Sequence, residues 1–167
     1  EALDEALDAI GHRESLEHLS VTVPCASLQQ FYDRCLRRLT KLQSLHLRLG
    51  ARYPFEQRQV DGVSLAGLKK VVLERCSFPE LAPLLRSCTS VCKLTLILAE
   101  FPGSWRALGP WQILSQLTCL RDLTCVFPMC AGAKLQKVIS EELGQVARWR
   151  FCKTPEGAWN WRRVSTG

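Results

Sequence analysis

Methionine, tyrosine and histidine are nearly missing from this chain, which holds one, two and three of them. The three histidines, His12, His18 and His46, never stand four apart, which excludes the His-Glu-x-x-His helix of a metalloprotease. No glycine-rich phosphate loop and no paired-carboxylate motif occurs. No stretch approaches the roughly 18 uninterrupted apolar residues of a membrane-spanning helix. The first residues, Glu1-Ala-Leu-Asp-Glu-Ala-Leu-Asp, are acidic where a signal peptide is basic and then apolar. They include no initiator Met, so the chain is expected to be a piece of a longer protein.

What is present is ordinary globular material. Hydrophobic residues make up 47% and charged residues 23% of 167 residues, enough to bury a core and consistent with a single domain. The net charge of +6 gathers partly in Arg34/Arg37/Arg38, Arg148/Arg150 and Arg162/Arg163. A basic balance favours acidic partners, nucleic acid included, although a solvated surface is the plainer reading. The nine cysteines are odd in number and scattered, unlike a disulfide framework. They read as reduced, small apolar core residues, which points to the cytoplasm or nucleus.

Internal periodicity carries most of the information. The pattern L-x-x-L-x-L, with Val, Ile or Cys as substitutes, begins at Leu16, Leu42, Leu68, Val91 and Leu120, with a weaker copy at Val146. Successive starts are separated by 26, 26, 23, 29 and 26 residues. A further apolar residue precedes most copies by three, at Leu39, Leu65, Cys88, Leu117 and Leu143. Each L-x-L predicts a short strand whose alternate side chains face the core, as with Leu45 and Leu47 or Leu94 and Leu96. Strands are expected near 19–22, 45–48, 71–74, 94–97, 123–126 and 149–152, pairing in parallel through longer crossovers. Leu28 to Leu36, Ser77 to Leu85, Trp105 to Leu117 and Ala133 to Leu143 space apolar residues at three and four, as helices or helical turns do. Residues 50–64 show no such spacing and read as an irregular loop.

These units resemble the leucine-rich-repeat family over nearly the whole chain. "LKKVVLERC", Leu68 to Cys76, matches best, with Cys76 at the family's Asn/Cys position after the strand. Cys there, with helical crossovers, resembles the cysteine-containing branch of F-box substrate receptors and ribonuclease-inhibitor-like proteins. The resemblance implies an α/β fold: a right-handed leucine-rich-repeat solenoid over residues 1–167, of about five to six repeats. Parallel strands would line its concave face, and helices or helical turns its convex face. It also implies that the concave face binds partners.

The outward strand positions follow from alternation. His18, Lys70, Lys93, Asp122 and Arg148 fall in one column, His46, Val72, Thr95, Thr124 and Arg150 in the next, and Arg48, Ile97 and Val126 in a third. Lys70 beside Lys93, with Arg48 near both, is expected to form a basic patch in mid-sheet, extended by Arg148 and Arg150. Val72, Thr95, Ile97, Thr124 and Val126 add an apolar strip. The combination suits an acidic or amphipathic protein segment.

Chemistry finds little support. Cys88-x-x-x-Cys92 and Cys125-x-x-x-x-Cys130 have zinc-like spacing, but Cys88 and Cys125 fall on core positions and no histidine pair accompanies them. His18 and His46 lie one column apart with no nucleophile at recognised spacing. No metal, cofactor or catalytic residue is expected. Trp159 and Trp161, interleaved with Arg162 and Arg163, suit either a cap over the last repeat or a base-stacking tail. Leu3, Leu7 and Ile10 form a helical stripe that ends the array or docks on an earlier repeat. The expectation is a protein–protein interaction module and not an enzyme, such as the substrate-recognition region of an F-box-type ubiquitin ligase receptor. The alternatives are the ligand-sensing repeats of a nucleotide-binding immune receptor and a nucleic-acid-associated basic repeat protein. A membrane role is not expected.

Overall fold

A computed structural model describes residues 2–50, 65–76, 84–97, 114, 116–126, 137, 140–141, 149–153 and 159–163, with 149–153 and 159 given by backbone alone. The expected helices at 77–85, 105–117 and 133–143 and the loop at 50–64 lie largely or wholly outside these residues.

The strands follow the alternation of the sequence. They are β1 (His18–Val23), β2 (Ser44–Leu49), β3 (Lys70–Glu74), β4 (Lys93–Ile97), β5 (Asp122–Val126), β6 (Trp149–Lys153) and β7 (Trp159–Arg163). They form one seven-stranded mixed sheet in the order β1-β2-β3-β4-β5-β7-β6. From β1 to β5 every neighbouring pair is parallel. The registers align the L-x-L units: Leu19, Leu45, Val71, Leu94 and Leu123 form one ladder, and Val21, Leu47, Leu73, Leu96 and Cys125 the next. From β2 to β5 these residues are at most 1% exposed. Each fully buried leucine or valine contributes about 1.5–3 kcal/mol.

Entry into the strands repeats as well. The amide of Leu42 donates to Leu39 O, Leu68 to Leu65 O, Val91 to Cys88 O and Leu120 to Leu117 O. These four pairs are the residues that the sequence places three apart, and all eight are buried. At the next position one carbonyl accepts two amides from the following strand: Glu17 from Gln43 and Ser44, Gln43 from Lys69 and Lys70, Lys69 from Cys92 and Lys93, Cys92 from Arg121 and Asp122. One local geometry thus serves each strand from β2 to β5.

The crossover from β1 to β2 is helical but uneven. A 3₁₀ turn at Cys25–Ser27 leads into α-helix at Leu28–Gln30, π-helix at Phe31–Cys35 and 3₁₀ again at Leu36–Arg38. Leu28, Phe31, Tyr32, Cys35 and Leu36 are buried. Phe31 and Tyr32 pack side by side in the core, with ring centroids 6.0 Å apart. Helix α1 (Ala2–Gly11) packs on this crossover with Leu7 buried and Leu3 and Ile10 partly so. Ion pairs reinforce the contact: Arg34 lies 3.0 Å from Asp8, and Arg38 lies 3.7 Å from it. Gly11 permits the approach, since a Cβ there would stand against the Arg34 carbonyl oxygen.

The C-terminal end departs from the expectation. The sixth segment was expected to extend the parallel array directly beside β5. Instead β7 pairs antiparallel with β5, and β6 pairs antiparallel with β7 at the sheet edge. Trp161 stands opposite Leu123 on β5 and Phe151 on β6, and is 0% exposed. Both runs carry large aromatics at alternate positions, Trp149 and Phe151 in one and Trp159 and Trp161 in the other, and it is Trp161 that the antiparallel pairing places beside Leu123.

Two features of the fold lead to measurable outcomes. Arg75, directly after β3, has φ 59°, the left-handed region that costs a side chain energy. Its amide donates to Ile97 O at 2.9 Å, which holds the turn in place. Arg75→Gly is therefore expected to raise stability by about 0.5–1 kcal/mol, and Arg75→Val to lower it, in urea unfolding. Equal stabilities for the three proteins would show that the turn relaxes freely.

The second feature is the burial of thiols. Among the described residues seven cysteines are free; Cys25, Cys35, Cys76, Cys88 and Cys125 are buried, Cys92 is half-buried and Cys119 is exposed. Burial pushes the Cys35 thiol up to about 11, the Cys88 thiol up to about 12, and that of Cys125 higher still. The thiolate is the reactive species, so these three are expected to resist alkylation in the native state. Cys119 should label first and Cys92 more slowly; fast labelling of six or more cysteines would overturn the reading. The raised values favour the protonated native state, so their contribution is full below pH about 9, the ordinary value. It is lost as pH rises through the native values, and the melting temperature should fall above that point.

Candidate functional site on the outward face of the sheet

Alternation that hides Leu45 and Leu94 turns their neighbours outward, and the parallel register arranges those neighbours in columns. His18, Ser44, Lys70, Lys93 and Asp122 form the first column and Ser20, His46, Val72, Thr95 and Thr124 the second. Thr22, Arg48, Glu74, Ile97 and Val126 form the third. The antiparallel β7 extends the first column with Arg162 and the second with Asn160.

The carboxylates of this face are committed to arginines. Glu74 lies 3.2 Å from Arg48 Nε and 3.4 Å from His46 Nε2. The other ring nitrogen of His46 stands 3.4 Å from Ser20 Oγ, so Ser20, His46, Glu74 and Arg48 make one polar network across three strands. Asp122 accepts from Arg162 Nε at 2.9 Å. Beside it, Asn160 donates to Thr124 Oγ1 at 2.8 Å. By contrast, among the described residues no carboxylate lies within ion-pairing distance of the exposed Lys70 or Lys93, which face each other across β3 and β4.

This corrects the expected basic patch in two respects. Arg48 does not stand near Lys70 and Lys93: its register partner is Glu74, four residues along β3 from Lys70 and roughly 13 Å away. Arg150, expected beside Thr124 in the second column, lies opposite Arg162 on the edge strand β6, in line with the first, and Arg148 lies outside the described residues. Sequence reasoning missed Asn160 and Arg162 as face residues. The signal was available: two alternating runs, "WRFCK" and "WNWRR", flank five residues containing Pro155 and Gly157, which is a hairpin pattern.

The remaining candidates are also placed. Val72, Thr95, Ile97, Thr124 and Val126 are half-buried, a low strip beside the lysines. His18 is exposed at the start of β1. Trp161 is inside the sheet with Nε1 donating to Ser140 Oγ at 3.1 Å, so its ring is closed to stacking from outside. The side chain of Trp159 lies outside the described set. Cys88 is buried, and the Cys92 thiol donates to Ser90 O at 3.4 Å. Among the described residues no three His, Cys, Asp or Glu side chains converge as a metal site, and no helix is long and apolar enough to cross a membrane.

No family model matches the chain, and no curated protein matches it at a significant level.

Proposed function

We propose that this chain is a leucine-rich-repeat segment that binds another protein across the outward face of its sheet and carries no catalysis. One observation carries the reading: five parallel strands bring equivalent positions of successive units into register, so their outward side chains form a continuous surface. A surface built this way varies residue by residue without disturbing the core beneath it, which suits recognition. The free thiols are in keeping with a reducing compartment, the cytoplasm or nucleus. Within that reading, the substrate-recognition region of an F-box-type ubiquitin ligase receptor comes first, because a Cys follows the best-matched strand. Its Cys76 thiol donates to Glu74 O at 3.3 Å, bonding backbone in the turn as that position does in the family.

The test is site-specific photo-crosslinking. A photoreactive residue at Thr95 or Thr124, on the face, should give a discrete protein adduct in cells. The same residue at Arg86, exposed in the helical turn of the crossover between β3 and β4, should not. Adducts destroyed by nuclease, or no difference between positions, would overturn the proposal.

A further inference from the structure

We infer that the end of the face at which β3, β4 and β5 begin is the docking rim for an acidic stretch of the partner protein. This rests on the reading of the face as an interaction surface and adds where on it the charge is read. Lys70 at the start of β3 and Lys93 at the start of β4 stand side by side on the face, with Lys69 just before β3 and Arg121 just before β5; all four are exposed. None has an ion-pair partner among the described residues. Cross-strand like charges repel, so Lys70 opposite Lys93 costs stability unless an anion joins them.

The arrangement around them keeps the rim positive. Asp122 is next to Lys93 in the ladder, yet its carboxylate is held by Arg162 at 2.9 Å. Glu74, the other acid of the described face, is held by Arg48 and His46 at the far end of the strands. With each acid already bound by an arginine Nε, the lysines have no carboxylate partner among the described residues.

The shape of the charge selects the partner. Three neighbouring strands spread the cations over roughly 10 Å, which suits several carboxylates along a chain crossing the strands. Val72 and Thr95 lie two residues beyond the lysines on the same face, with Ile97 two further, so apolar side chains of the same segment find a place beside its acids. Nucleic acid fits less well. Among the described residues no Phe, Tyr or Trp ring is exposed to stack a base: Phe31, Tyr32 and Trp161 are all buried.

Fluorescence anisotropy tests this. The probes are a labelled Glu-Asp-Leu peptide of about eight residues, long enough at roughly 3.3 Å per residue to cross the rim, its Gln-Asn-Leu counterpart, and a single-stranded oligothymidine of similar length. The acidic peptide should bind, the neutral one should not, and added salt should weaken binding. Lys70→Glu with Lys93→Glu should weaken it about tenfold or more, with an unchanged melting curve. Arg86→Glu should leave it unchanged. The inference is overturned if the wild-type chain ignores the acidic peptide, if Arg86→Glu weakens binding as much as the lysine variant, or if oligothymidine binds more tightly. A rim that ignores the peptide on a protein still crosslinking through Thr95 would sink this inference alone and leave the proposed function in place.

Discussion

Trp161→Ala is expected to lower stability by about 3–5 kcal/mol, the range for removing a large buried aromatic. For a chain of this size that is a fall in melting temperature on the order of 10 °C. The indole is 0% exposed and stands between Leu123 and Phe151 in the register, so its loss opens a void that only concerted movement of three strands can close. Its Nε1 also donates to Ser140 Oγ. Trp161→Phe separates the two contributions: it keeps most of the volume and should cost about 1 kcal/mol more than packing alone, for the bond lost. Thermal melts of the three proteins check the order wild type, Phe, Ala. An alanine variant that melts with the wild type would mean that β7 is not a working part of the sheet.

The second large effect tests the alternation on which the face depends. Leu94→Ala should cost about 2–5 kcal/mol, while Thr95→Ala, one residue on, should stay within about 0.5 kcal/mol. Leu94 is 1% exposed, and its ladder neighbours Val71 and Leu123 are 0% exposed, so no side chain is free to fill the space. Thr95 is half-buried on the opposite side. Urea unfolding of both variants gives the comparison. Equal costs would mean that the strand does not divide its side chains between a core and an open face.

The parts of this fold that could be read from the residues are those governed by local periodicity. A strand that hides Leu45 and Leu47 needs only the period of two, and the 26-residue separation of Leu16 from Leu42 and of Leu42 from Leu68 is the same offset as the β1–β2 and β2–β3 registers. The helical character of Leu28 to Leu36 is readable from its spacing, but its π turn is not, because Leu28, Phe31, Tyr32, Cys35 and Leu36 also share one face of a regular helix. The C-terminal end was misjudged for a physical reason. "VARWRF" continues the spacing, so periodicity assigns it to the next strand position. Both alternating runs carry large aromatics, so which of them sits beside β5 is a property of the whole sheet and not of either run. The charge pattern misled in the same way. Counting Arg48 with Lys70 and Lys93 treats columns as if they were close, whereas register puts Arg48 against Glu74. Charges on a sheet are compensated along the ladder first, so net charge by column says little until the partners of each carboxylate are known.

The strand order has a consequence for assembly. β6 precedes β7 in the chain but touches the sheet only through it. While a ribosome is still adding the residues of β7, β6 has no seat, and the outer hydrogen-bonding edge of β5 stays open to stray strands. Completion of this border must therefore come as one late event involving both strands. In pulsed hydrogen exchange the amides of β6 should gain protection no earlier than those of β7, and a chaperone recognising unpaired strand edges would have its longest opportunity here.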